Sequence, residues 1–261
     1  MRIARFSRGD TVSFGVIDGD PAQPASLSVT AIAGHPFAPF QLAGEPAPLS
    51  DVRLLAPVLP SKVVGVGKNY ADHAREMGGE APPEPPIFLK PSTSVAGPRD
   101  AIVLPPGHGE VHHEAELAVV IGRLCREVPR ERAADVILGY TCANDVTDRD
   151  LQKKDGQWAR AKGFDTFCPL GPWIETDVTP EDDRAITCTV NGETRQDGRT
   201  SDLLTGVADL VALVSAAFTL LPGDVILTGT PAGVGPIVPG DDVVVSIEGI
   251  GTLSSRVVAR D

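Results

Sequence analysis

Cysteine is scarce: four residues in 261, at Cys125, Cys142, Cys168 and Cys188, with no CxxC pair. That argues against a disulfide framework and leaves scattered, reduced thiols of a cytosolic protein, without the local signature of a catalytic cysteine. Basic residues are also few, 23 Lys and Arg against 35 Asp and Glu, a formal net charge of -12. Non-specific binding to nucleic acid or to an anionic membrane surface needs clustered Lys and Arg, so neither partner is expected. An acidic substrate stays open, because a bound cation can reverse the local field. No apolar run approaches the roughly 20 residues that span a bilayer. The opening MRIARFSRGD lacks the apolar stretch of a signal peptide. The expected location is the cytoplasm. There is no internal repeat, and the glycine-rich AGVG near residue 235 is followed by neither GKS nor GKT, so it is not a P-loop.

What is present is an ordinary globular composition, 42% hydrophobic and 22% charged, in a chain long enough for one large domain with a small appendage. RIARF and TVSFGVI flank a turn at Arg8-Gly9-Asp10 and read as a hairpin. The stretch from Asp18 to about Pro60 is rich in Pro, Ala and Gly with weak periodicity. Residues 1–56 are therefore read as a small N-terminal β-rich extension and 57–261 as the main domain. From Lys62 onward KVVGVG, PIFLKP, AELAVVIG and DVILTG read as strands. NYADHAREMGGE can make one or two helical turns beside the Pro-rich APPEPP, which suggests a mobile surface element. The clearest helix runs from Asp202 to Leu221, with Leu203, Val207, Leu210, Val211, Val214 and Phe218 on one face, Ser201 or Asp202 as cap and Pro222-Gly223 as stop. Asn191-Gly192 marks a tight hairpin, and residues 239–259 read as a last one. Many strands and few helices predict a β-rich α+β fold.

The most informative segment is VHHEAELAVVIG. Glu114 and Glu116 stand two apart on a predicted strand, so both point to one face. The residues that follow are apolar, so the strand enters a core, where two like charges repel and cost desolvation energy. A divalent cation removes that conflict. Asp145, after the apolar VILGYTCAN, is a third candidate, and three carboxylates make a hard-oxygen set suited to Mg²⁺ or Mn²⁺. The bland alternative is a solvated pair of glutamates. Imidazole suits Zn²⁺ better, so His112 and His113 are read as structural or supporting. Asp148 and Asp150 are read as solvated.

Seven segments, taken in order, resemble the fumarylacetoacetate hydrolase family: GVGKNYADHAREM, PIFLKPSTSVAGP, VHHEAELAVVIG, ANDVTDRDLQ, ARAKGFDTFCPLGPW, VNGETRQ and PGDVILTGTPAGVG. The resemblance runs from about Lys62 to Val258 and is nearest to single-domain acylpyruvate hydrolases and oxaloacetate decarboxylases. It implies a mixed β-sheet roll with peripheral helices, usually a homodimer. It implies Glu114, Glu116 and Asp145 as metal ligands, for Mg²⁺ with Mn²⁺ or Ca²⁺ as alternatives, and Lys162 at metal and substrate. Arg149 and Gln152 match residues near the substrate, Thr230 a contact to its carboxylate, and His73 with Glu76 an acid–base pair on a lid. Without the resemblance, HxxE reads as a surface pair, Lys162 as a surface lysine, and TGTP as a turn stopped by Pro231.

The implied substrate is a small 2-oxo acid, and the implied reactions share an enolate held at the cation. Hydrolysis of acylpyruvates or decarboxylation of oxaloacetate is the expected activity. Isomerisation or decarboxylation of a 2-hydroxydienedioate, such as 2-hydroxyhepta-2,4-diene-1,7-dioate in aromatic catabolism, is the rival. A non-catalytic metabolite-binding protein is the alternative of another class.

Overall fold

A computed structural model describes residues 1–179 and 182–260. The β-rich α+β expectation holds: among the described residues most of the secondary structure is strand, in two large mixed sheets and one small one, with four α-helices. The order along the path of the twelve-stranded sheet is Gln41–Pro48, Ser28–Ala33, Thr11–Asp18, Arg2–Arg8, Cys168–Glu175, Ile137–Asn144, Ala115–Ile121, Val225–Leu227, Val63–Val66, Ile87–Lys90. The hairpin read around Gly9 is there, with all seven residues of Arg2–Arg8 in register against Thr11–Ile17. A five-stranded sheet runs Glu193–Arg199, Ala185–Val190, Asp242–Ile247, Gly251–Ala259, Ile102–Leu104. Asn191 and Gly192 make its tight turn, both with positive φ, the conformation an Asn-Gly hairpin needs.

The central strand Ala115–Ile121 is buried at every residue. Leu117, Val119 and Ile121 join the largest core, shared with Ile186, Val243, Val245 and Leu253 of the second sheet. Ala118 and Val120 join a second core on the other face, with Ile3, Val63 and Leu170. Burial on both faces explains why the sequence there is a continuous apolar run rather than an alternation.

One reading needs correction, and the β-rich reading of residues 1–56 gains detail. The helix expected over Asp202–Leu221 shrinks to Val207–Ala217 (α4), with Gly206 at its N-cap. Asn69 is the reason at the N-terminal side: its carbonyl accepts from Leu204 N, and its side chain bonds both Thr205 N and Thr205 O. Those bonds hold residues 203–205 outside any helix. At the far end Leu220 pairs with Cys125 in an isolated bridge. The stretch from Asp18 to Pro60 looked weakly periodic, yet it contains the strands Ser28–Ala33, Gln41–Pro48 and Arg53–Leu55. Gln41–Pro48 is an edge strand, mostly exposed and carrying Pro46 and Pro48, so it shows no buried face to read.

Strand directions gather the loops that matter. Val63–Val66 and Val225–Leu227 are parallel, and Ala115–Ile121 runs antiparallel to both Val225–Leu227 and Ile137–Asn144. Three strands therefore end, and one begins, at a single edge. Glu114, Asp145, residues 228–230 and the segment leading into helix α1 (Ala71–Glu76) all lie there.

Candidate functional site

Glu114 is pinned from both sides of its peptide. Its carbonyl accepts from Asp145 N at 2.8 Å, and its amide donates to Asn144 Oδ1 at 3.0 Å. Each of Glu114, Glu116 and Asp145 offers one carboxylate oxygen, and these three atoms lie within 4.8 Å of one another. All three residues are buried, at 1–3% exposure. Distant in sequence, they converge because Ala115 pairs with Asn144 and Glu116 with Ala143.

Buried cations surround two of them. Lys162 closes the short helix α3 (Ala159–Lys162) and donates to Glu114 Oε2 at 2.8 Å, to Thr147 Oγ1 at 2.8 Å and to Asp145 Oδ2. Its ammonium also sits 4.8 Å over the Phe88 ring. Arg149 opens helix α2 (Arg149–Asp155), pairs with Glu114 Oε1 at 2.6 Å and donates to Gln152 Oε1 at 3.0 Å. Lys90, wholly buried, donates to Asp145 Oδ1 at 2.6 Å. Burial alone would raise the Glu114 pKa, but Lys162 and Arg149 outweigh it and hold the carboxyl well below the usual range. Lys162 loses solvation too, yet Asp145 and Glu114 raise its pKa.

Glu116 is different. Among the described residues no cation pairs with it, and its one hydrogen-bond donor is Gly229 N at 2.6 Å. Burial, with Asp145 and Glu114 adding to it, pushes its pKa well above the ordinary value. Gly229 can make that contact because its φ is +100°, and a side chain there would stand 2.9 Å from Asn69 Cβ. The neighbouring Tyr70 hydroxyl is buried without a hydrogen-bond partner among the described residues; burial and Glu116 raise its pKa.

Helix α1 brings His73 to the same cavity, a space of about 240 Å³ lined by His73, Glu114, Glu116, Arg149, Gln152, Lys162 and Thr230 among others. His73 Nδ1 lies 3.3 Å from Glu76 Oε2. Glu76 in turn accepts from Gly233 N at 3.1 Å, which ties α1 to the loop after Thr230. Thr230 Oγ1 donates to Ala115 O at 2.8 Å and accepts from Gln196 Nε2 at 2.7 Å.

Eight of the nine residues singled out from sequence thus line the cavity or its acidic group; Glu76 reaches it through His73. Two others escaped notice. Lys90 ends the apolar PIFLKP strand, where a lysine has no business unless its charge is met inside. Gln196, also fully buried, accepts from Ala115 N, bonds His113 Nδ1 and holds Thr230. The signal for Gln196 was only its place in VNGETRQ. His113 meets Gln196 and His112 meets Glu110. Asp148 corrects another reading: it is fully buried and caps α2, accepting from Leu151 N and Gly109 N, whereas Asp150 is exposed. Cys142, Cys168 and Cys188 are buried with thiols pushed up to about 12, no place for a thiolate nucleophile.

Residues 62–258 match the family described as fumarylacetoacetate (FAA) hydrolase, C-terminal, and residues 1–57 match one described as Rv2993c-like, N-terminal. The crystal structure of 2-hydroxyhepta-2,4-diene-1,7-dioate isomerase from Mycobacterium marinum is 52% identical, over 100% of this chain and 99% of its own, with a TM-score of 0.93. Oxaloacetate tautomerase YcgM of Escherichia coli (strain K12) is 45% identical over 76% of this chain and 93% of its own. Maleylpyruvate hydrolase from Sphingobium sp. SYK-6, solved in complex with manganese (II) ion and pyruvate, is 35% identical over 100% of both chains, with a TM-score of 0.80. No helix among the described residues is long and apolar enough to cross a membrane.

Proposed function

The chain belongs to the fumarylacetoacetate hydrolase family, and from that premise we propose that it is an enzyme that enolises a 2-oxo acid with the help of a divalent cation, keto–enol tautomerisation of oxaloacetate being the reaction to measure first. The observation that carries this reading is Glu116, a buried carboxylate that no cation among the described residues pairs with, converging with Glu114 and Asp145 in an all-oxygen set. That set fits Mg²⁺ or Mn²⁺, with Mg²⁺ the favoured ion. A bound cation of this kind would supply Lewis-acid stabilisation of negative charge on a substrate oxygen.

The protein groups supply the rest. Lys162, fixed by three acceptors, sets a positive charge where the enolate oxygen develops and needs no reorganisation to do so. Lys90 keeps Asp145 oriented. Arg149, braced by Glu114 and Gln152, presents a planar fork to a substrate carboxylate. Thr230 reaches that carboxylate only by releasing Ala115. His73, oriented by Glu76, takes the proton from the carbon beside the keto group and delivers it to the oxygen that becomes the enol hydroxyl, and in the reverse direction carries it back to carbon.

Enol absorbance of oxaloacetate, followed with Mg²⁺, with Mn²⁺ and with chelator, tests the reading. Exchange no faster than the uncatalysed rate, or exchange indifferent to chelator, would overturn it. A second reading, hydrolysis of a C–C bond in an acylpyruvate, is favoured by the His73–Glu76 pair, which suits activation of water. His73→Ala should then cut hydrolysis about 10²–10⁴-fold and harm oxaloacetate decarboxylation far less, since decarboxylation needs no activated water.

A further inference from the structure

Helix α2 carries Arg149, Gln152 and Lys153 at i, i+3 and i+4, one face of the helix, and all three line the cavity. Arg149 is buried and committed to Glu114. Lys153 stands about 6 Å further along the helix axis and is exposed. Lys68 lines the same cavity from another element, just past the strand Val63–Val66. It is half-buried, with φ at +56°, a conformation that residues with a Cβ adopt seldom. Its Nζ lies across Gly79, 3.5 Å from where a Cβ on that glycine would stand.

Lys162 and Arg149 stand at the acidic end of the cavity beside Glu114 and Asp145, where the reading above assigns them to the enolate oxygen and the carboxylate next to it. Among the described residues neither Lys68 nor Lys153 has a carboxylate within ion-pair distance, although Glu80 and Glu84 line the adjoining hollow with Lys68. The cavity wall also includes the apolar side chains of Val66, Met77 and Trp158. Trp158 is fixed edge-on to Phe88 at 5.4 Å, and its ring fills the place where a Cβ on Gly67 would stand, 2.6 Å away.

An acid-lined head, an apolar wall and two unpaired ammonium groups together match a substrate charged at both ends. We propose that Lys68 and Lys153 receive the distal carboxylate, so that the site selects dicarboxylic over monocarboxylic 2-oxo acids. This rests on the 2-oxo acid reading above and adds to it a substrate class and the residues that choose it.

The test compares kcat/KM for oxaloacetate with that for acetylpyruvate, which has the same 2-oxo head and no distal carboxylate. Lys68→Asn suits the position because asparagine tolerates the left-handed backbone; Lys153→Gln is its companion. Each should lower the ratio of dicarboxylate to monocarboxylate turnover about five- to tenfold, the range of an exposed charge-assisted contact. The double variant should lower it further, Lys68→Arg should restore it, and added salt should shrink the wild-type preference. A ratio unchanged in the double variant overturns the inference. If the wild type turns over neither compound, the enolisation reading fails instead. The inference is then read by calorimetry on the Mg²⁺-loaded protein, as the Kd of 2-oxoglutarate relative to 2-oxobutanoate. Loss of the dicarboxylate preference in the double variant supports it, and an unchanged preference overturns it.

Discussion

Asp224 and Glu116 are both fully buried carboxylates within reach of the short strand Val225–Leu227, and they are treated in opposite ways. Asp224, before the strand, accepts from Ser61 N at 3.0 Å, Ser61 Oγ at 2.6 Å, Lys62 N at 3.1 Å and Leu221 N at 2.8 Å, and pairs with the Lys62 ammonium. Burial would raise its pKa, but Lys62 and Ser61 bring it below the ordinary value. Glu116, at the other end of the strand, gets one amide from Gly229 and, among the described residues, no cation. A buried charge completed by its own chain is structural. One left incomplete, beside two more carboxylates, is a place prepared for something else.

The largest expected effect tests the structural half of that contrast. Asp224→Ala strands the Lys62 ammonium and three backbone N–H groups, so unfolding free energy should drop by about 3–5 kcal/mol, with activity per folded molecule kept. Urea denaturation checks it, and a loss under about 1 kcal/mol would make the pair ornamental.

Next comes Lys162→Ala. Losing a fixed charge at the developing oxyanion should cost about 10²–10³ in kcat, or about 2.7–4 kcal/mol. Steady-state kinetics measure it, and a variant with near wild-type kcat removes Lys162 from the chemistry.

Metal should then distinguish the two carboxylates by stability. At a hundredfold excess over its Kd, Mg²⁺ should stabilise the wild type by about 2.7 kcal/mol. In Glu116→Gln that gain should vanish, while the chelated variant is no less stable than the chelated wild type, because an uncompensated buried charge has been removed. Thermal melts with Mg²⁺ and with chelator settle this, and full Mg²⁺ stabilisation of the variant would refute the ligand role.

The smallest effect is a pH dependence of opposite sign at the two sites. Asp224 has a lowered pKa, so its contribution is present above the ordinary carboxyl pKa of 3.8 and is lost only as pH falls through the lowered value. Glu116 has a raised pKa, so in chelated protein stability is full below 4.5 and declines as pH climbs toward the raised value. Each unit of difference is worth about 1.4 kcal/mol. Melts from mildly acid to neutral pH should therefore slope downward in chelator and flatten in Glu116→Gln. They should flatten too with saturating Mg²⁺, which displaces the proton. A chelated wild type without that slope breaks the comparison.

Much was legible in the chain alone: the hairpins at Gly9 and Gly192, the buried strands and the acidic pair two residues apart. Each is local, set by turn chemistry, by apolar runs or by the two-residue period of a strand. The family motifs added the residues that share the cavity. Tertiary structure alone decided the rest. Asn69, more than 130 residues away in sequence, breaks the helix that periodicity drew from Asp202, because its bonds to residues 204 and 205 outcompete a helical turn. Lys90 and Gln196 looked like ordinary polar residues in strands until strand pairing buried them against Asp145 and Thr230. Asp148 looked solvated until α2 used it as a cap. Which charges are met and which are left open depends on partners 15 to 163 residues distant, and a single sequence carries periodicity but not that pairing.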